Sequence, residues 1–297
     1  MTFEQALRLA GLLPRGIVAD GRIRRCPTED KPRSDNGWYS LHPDGHGVWG
    51  DWASGDRGSW NDDNATQRAA DPAVQERMKR QRDRDRAYRV QAMRSARAFW
   101  HQARPLNRPH PYIENKGLSP LGCAGLRTHE GLLVVPVWHG EWIISVQTIG
   151  LDGEKLFWPG APVHAGSYLL QRNGSAMTVL VEGLATGLAI YQSVRNASVI
   201  VAFNAGNLLP VVERIKPTGS VCIAADNDHR TLAKRGFNPG LDKARNAAEL
   251  IGCGVAYPQG IEGSDFCDLL KEYGTGGAKH IERLVLSRTK YVLGSSA

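Results

Sequence analysis

Apolar and polar positions divide the chain into stretches of different period. Near the start, Phe3, Ala6, Leu7, Ala10 and Leu13 are spaced as on one face of a helix, and Pro14 and Gly16 close it. Residues 21–60 alternate short extended pieces (22–25, 37–41, 47–52) with turns, which predicts a small module of β-hairpins. Residues 71–102 predict one long helix, with Asp71 as cap and Pro72 in the first turn. Its first half is basic and solvated, and its second half carries a docking stripe of Val90, Met93, Ala96, Phe99 and Trp100. Prolines 105, 109 and 111 end it as a linker. Residues 131–137 and 142–149 read as strands, with a turn at Asp152-Gly153.

Two later runs have a different pattern. Residues 177–181 and 221–225 are continuously apolar, as expected of strands buried on both faces of a parallel sheet. The first ends on Glu182-Gly183 and the second on Asp226-Asn227-Asp228. Ligands bind beyond the carboxyl ends of such strands. Three carboxylates meeting there repel one another unless a cation lies between them, and hard oxygen donors suit Mg²⁺ or Mn²⁺. The intervening segment predicts a helix over 185–194, a strand over 198–203, the turn Ala205-Gly206-Asn207 and a helix over 208–215. Beyond Asp228 lie a basic loop over 229–235, a helix opened by Gly240, and a last strand over 255–258. The tail from Tyr291 onward is expected to fray.

A strand ending in Glu-Gly, a crossover helix and a strand ending in Asp-x-Asp resemble a Toprim domain. The wording Val181-Glu182-Gly183-Leu184-Ala185-Thr186-Gly187, with the later Ala205-Gly206-Asn207-Leu208, is similar to DnaG-type primases of the phage and plasmid branch. Bacterial primases usually carry Asp at the place of Thr186, so one acidic group is lost here. The resemblance implies an α/β fold, α+β overall, with a central mostly parallel sheet flanked by helices. It divides the chain into a β-rich zinc-ribbon-like module (1–62), a basic helical linker (63–106), an N-terminal subdomain of the primase core opened by Tyr112 (107–175), the Toprim domain (176–275) and a C-terminal helix and tail (276–297).

The same resemblance implies primer synthesis on single-stranded DNA from nucleoside triphosphates. Glu182, Asp226 and Asp228 are then the catalytic and metal-holding groups. Asp265, in a closing Asp-Phe-x-Asp element, either joins them or caps its helix. Lys155 is a candidate phosphate contact or an ordinary strand-edge lysine. Arg230, Lys234, Arg235 and Lys243 are candidate nucleotide contacts, since a triphosphate needs both metal and side-chain cations.

Composition narrows this further. A net charge of +7 suits a polyanionic partner. In the β-rich module, Arg24, Arg25 and Trp38 are candidates to hold a single strand, arginines on phosphates and an aromatic face on bases; the tryptophans alternatively form the module's core. The module has lost the second cysteine pair of a ribbon. Cys26 with His42 and His46 lacks the paired spacing of a zinc site, so zinc is not expected and a buried apolar Cys26 is the alternative. Five scattered cysteines suggest no disulfide framework and fit a reducing cytoplasm. No apolar run suggests a membrane span, and no signal peptide is visible. No Gly-x-x-x-x-Gly-Lys-[Ser/Thr] pattern occurs, so a separate replicative helicase is the expected partner. A Toprim nuclease, a topoisomerase and a non-catalytic DNA-binding accessory module remain as alternatives.

Overall fold

The computed structural model describes residues 1–52, 56–63, 72–120 and 123–294, without the side chains of Ala124, Lys234 and Arg235. Asp71, expected to cap the long helix, and the final residues 295–297 lie outside the described residues. The chain forms two compact units, Met1–Tyr88 and Arg89–Ala297.

In the first unit, helix α1 (Phe3–Leu9) starts at a capping box in which Thr2 and Gln5 satisfy each other's backbone N–H. It ends before the predicted Leu13 because Gly11 adopts φ +74° and turns the chain. Strands β1 (Arg24–Cys26), β2 (Gly37–Leu41), β3 (His46–Asp51) and β4 (Arg57–Asn61) form an antiparallel sheet in that order. Phe3, Leu7, Leu12, Cys26 and Tyr39 make its core. Cys26 is thus an apolar core residue, and burial raises its thiol pKa. Helix α2 (Pro72–Gln102) buries Val74 early, and Asp85 pairs with Arg22 at 2.9 Å within this unit.

In the second unit, the end of α2 packs Ala96 and Trp100 against Val134, Ile143 and Val146. These belong to an antiparallel sheet of β5 (Arg104–Pro105), β6 (Arg127–His129), β7 (Leu132–His139), β8 (Trp142–Ile149) and β9 (Lys155–Phe157), in that order. Between β5 and β6 lies the short helix α3 (Pro111–Asn115).

The second sheet joins β10 (Tyr168–Leu170), β12 (Ala197–Val201), β11 (Met177–Val181), β13 (Gly219–Ala224) and β14 (Gly254–Ala256), with β15 (Lys290–Val292) also on β13. The pairs β11–β12, β11–β13 and β13–β14 are parallel. Strands β10 and β15 are antiparallel to their neighbours. Successive residues of β11 bury in opposite directions, as period-2 geometry demands. Val179 and Val181 pack with helices α4 (Leu184–Ser193), α8 (Phe266–Glu272) and α9 (Gly277–Arg288); Leu180 packs with α5 (Leu208–Ile215) and α7 (Pro239–Ile251).

Three expectations are corrected. Residues 229–235 are not a loop: His229–Arg235 is helix α6, closed by Gly236 at φ +76°. Strand β14 is not the last, and the tail is not frayed at Tyr291, because residues 290–292 pair with 219–221. Only Val292 of β15 is buried, too short an apolar signal to read as a strand. No described helix is long and apolar enough to cross a membrane.

Candidate active site

Strands β11 and β13 are hydrogen-bonded in parallel with Val181 opposite Ala224, so both chains leave the sheet at the same edge. Glu182 follows directly, and Asp226 follows two residues beyond Ala224. Gly240, the second residue of α7, lies against the carboxylates of Glu182 and Asp228 and the backbone of Asp226. A methyl group there would lie 2.9 Å from the Asp226 carbonyl, 3.0 Å from Glu182 Oε1 and 3.2 Å from Asp228 Oδ2. Its own N–H donates to Asp228 Oδ2 at 3.2 Å. The first turn of a helix favours negative charge, so α7 offers both space and field to Asp228.

Each carboxylate is fixed by a different part of the chain. Asp226 Oδ1 accepts the hydroxyl of Thr186 at 3.1 Å, and Thr186 is buried in α4. Burial pushes the Asp226 carboxyl up to about 7, with repulsion from Asp265 and Asp228 adding to it; Thr186 and Lys155 pull the other way. Glu182 is pushed up to about 8, first by burial and then by Asp226 and Asp228. The backbone N–H groups of Ala205 and Asp226 partly counter this. Glu182 Oε1 is buried and has no hydrogen-bond partner among the described residues.

The turn that presents Ala205 is strained. Phe203 sits at φ +72°, a left-handed conformation costing on the order of 1–3 kcal/mol for a bulky residue. Asn207 braces it, accepting from Ala165 N–H at 2.7 Å and donating to the carbonyls of Ala202 and Gly166 at 2.8 Å each.

Asn227 and Asn238 lock the other side. Asn238 Oδ1 accepts from the N–H groups of Asp228 and Leu241, both at 3.2 Å, and its Nδ2 donates to Asn227 Oδ1 at 2.9 Å. Asn227 in turn donates to the Ser264 and Pro258 carbonyls, both at 2.7 Å. This ties the Asp-x-Asp turn to the segment bearing Asp265. Asp265 caps α8 through a 2.8 Å bond from Asp268 N–H, and its charge also raises Asp226. The capping reading of Asp265 is thus met by the structure, and its charge stands close enough to act on Asp226. Asp268 Oδ2 completes the capping box by accepting from Asp265 N–H at 3.4 Å, and it also accepts from Ser264 N–H at 2.9 Å.

Lys155 is exposed on β9, with Nζ 5.9 Å from the ring centroid of Tyr112, and its charge reaches Asp226. Tyr112 is 3% exposed, and its hydroxyl has no partner among the described residues. Arg230 lies 3.7 Å from Glu262 and lines a cavity of about 630 Å³ with Asp228, Ser264, Asp268 and Lys271. Lys243 is exposed on α7. The side chains of Lys234 and Arg235 lie outside the described residues.

Arg24, Arg25 and Trp38 belong to the first unit, and the carboxylates to the second. Arg24 is held by Asp20 at 2.6 Å. Arg25, Trp38, Gly50 and Arg57 stand opposite one another across the four strands, so they share one face. Bare Gly50 leaves room for the Trp38 ring, whose centroid lies 5.5 Å from that of Trp52 with the planes tilted by 34°.

The sequence reading misses Thr186, Asn227 and Asn238 as positioning groups and names Gly240 only as a helix opener. The acid-rich edge fits a hard divalent cation in donor type, and the unpartnered Glu182 Oε1 points the same way. Among the described residues, no three His, Cys, Asp or Glu side chains are gathered into a formed metal cage.

Residues 177–276 match the family described as Toprim domain, and this segment is a Toprim domain. The chain is 29% identical over 283 residues to a DNA primase TraC of Escherichia coli, covering 86% of this chain and 26% of the relative. It is 28% identical over 285 residues to a second DNA primase TraC of Escherichia coli, covering 86% and 19%. The chain thus spans about a quarter or less of the length of these curated relatives. A solved DnaG primase catalytic domain bound to single-stranded DNA aligns with TM-score 0.42 and 17% identity, over 69% of this chain and 84% of that one.

Proposed function

We propose that this chain is a DNA primase, a nucleotidyltransferase that builds short primers on single-stranded DNA. The observation that carries the reading is the grouping of Glu182, Asp226 and Asp228 at the carboxyl edge of the Toprim sheet, where the charges of both aspartates act on Glu182 and Gly240 lies against the Glu182 and Asp228 carboxylates. Similarity to DNA primase TraC over 86% of the chain supports it. Glu182, Asp226 and Asp228, with Asp265 beside them, would hold Mg²⁺ or Mn²⁺. When bound, such ions lower the pKa of a primer 3′-hydroxyl and offset charge on a departing pyrophosphate.

The chain's own residues supply the rest. Thr186 holds one oxygen of Asp226. Gly240 keeps the convergence point open, since any side chain there would fill it. Lys155, braced on Tyr112, offers a cation to nucleotide or template phosphate. Arg230 stands on the rim of the cavity next to Asp228, and Lys243 extends the basic surface along α7. In the first unit, Arg25 and Trp38 share a sheet face suited to a single strand, phosphate on the guanidinium and base on the ring. Arg24 is committed to Asp20 and supports β1. A P-loop motor on another chain would expose the template.

The test combines the protein with single-stranded DNA, labelled nucleotides and Mg²⁺ or Mn²⁺, beside an Asp226→Ala, Asp228→Ala double variant. Short labelled products from the natural chain alone are expected. Template shortening without synthesis would replace the reading with a nuclease.

A further inference from the structure

The first half of α2 carries charge that the active site does not use. At about 100° per residue, side chains three and four apart lie on one helix face. Lys79, Arg82 and Arg86 have that spacing, and all three are exposed. None of them forms an ion pair among the described residues, whereas Arg80 is held by Glu76 at 2.9 Å. Asp83 borders the row, also without an ion pair among the described residues. The helix is held by another side: Val74 is buried, Gln81 and Asp85 are half-buried, and Asp85 pairs with Arg22 at 2.9 Å. The basic row is therefore turned to solvent by the packing of the helix.

We infer that Lys79, Arg82 and Arg86 form a binding surface for the phosphate backbone of nucleic acid, separate from the carboxylate edge. This rests on the reading that the chain works on nucleic acid. The three cations span about 10 Å of helix. Phosphates of one strand recur about every 3.4 Å of duplex axis, so the row matches a short run of them. It carries no aromatic side chain to stack on a base. Its contribution is affinity and register without sequence preference.

The experiment measures binding of a fluorescein-labelled dT25 strand by anisotropy across a salt series, without nucleotide or divalent metal. Two variants with equal charge change on the same helix are compared. Arg82→Gln, Arg86→Gln removes two members of the row; Arg77→Gln, Arg84→Gln removes two exposed arginines from a different side of the helix. Glutamine keeps helix propensity nearly unchanged, and circular dichroism checks the fold. The first pair is expected to lower the magnitude of the salt slope by about 1.4 and to weaken binding roughly 10- to 30-fold at 0.1 M salt. The second pair is expected to leave the slope near that of the natural chain. Equal effects of the two pairs, or none from either, would overturn the row as a surface while leaving the primase reading intact. No binding of dT25 by the natural chain would overturn both.

Discussion

Two aspartates show how differently this chain treats a negative charge. Asp20, in the N-terminal unit, meets Arg24 at 2.6 Å. Burial works against its ionised form, but the hydrogen bond and charge of Arg24 win, and its carboxyl stays below the ordinary range. Asp226, at the Toprim edge, meets Asp265 and Asp228, and burial and repulsion push its carboxyl up to about 7. A carboxylate given a cation by its own protein is a structural group. Carboxylates pressed together without one are driven towards their protonated forms, and under the proposed function a divalent cation would take the place of those protons.

The sharpest way to break this contrast is to neutralise the strained side. Asp226→Asn should reduce primer synthesis to background and yet raise the thermal midpoint of the metal-free protein, because a repelling charge is gone. A midpoint that falls would show Asp226 to be structural, like Asp20.

Next in size is Gly240→Ala. Its methyl would meet Glu182 Oε1, Asp228 Oδ2 and the Asp226 carbonyl at 2.9–3.2 Å, so a loss of about 1–3 kcal/mol in denaturant unfolding is expected, together with weaker Mn²⁺ binding. Thr186→Val should weaken Mn²⁺ binding by roughly 10- to 100-fold, read by calorimetry, and Thr186→Ser should restore it. If serine fails as valine does, the hydroxyl is not what matters.

The pH dependence follows with a definite sign. Glu182 rises from 4.5 to about 8 and Asp226 from 3.8 to about 7 on folding, so the folded state binds the extra protons. Their contribution is therefore present below pH 4 and lost as pH climbs towards 8. Chemical unfolding of the metal-free protein should show this decline, and Glu182→Gln should flatten it. Mn²⁺ binding should strengthen over the upper part of the same range, as protons leave. The smallest effect belongs to Arg24→Gln. Its pair is partly exposed, and the thermal midpoint should move by no more than about 2 °C.

What could be read from the sequence depended on where each signal resides. Glu182 and Asp226 end apolar runs, so their place at a sheet edge is written locally. Residues 177–181 and 219–224 are the strands expected, within two residues. Thr186, Asn227 and Asn238 have common polar side chains whose roles exist only once α4, β13 and α7 are adjacent. Helix α6 was hidden because its seven residues carry only Leu232 and Ala233 as apolar members, too few to show a period. The short β10 and β15 become strands through partners far along the chain. In the N-terminal module, only cross-strand register separates Arg24, opposite Tyr39, from Arg25, opposite Trp38.

The pairing of β13 bears on how the protein is made. Along one edge, residues 222–224 bind β14 and residues 219–221 bind β15. A nascent chain that has emerged only as far as β14 has the strand leading to Asp226 paired along that edge at its carboxyl half and open at the other. That open half, Gly219-Ser220-Val221, presents unpaired backbone N–H and C=O groups, the kind of edge that recruits a neighbouring chain. Residues 290–292 close it, so the amino half of β13 gains its edge partner only from a segment about seventy residues further along the chain.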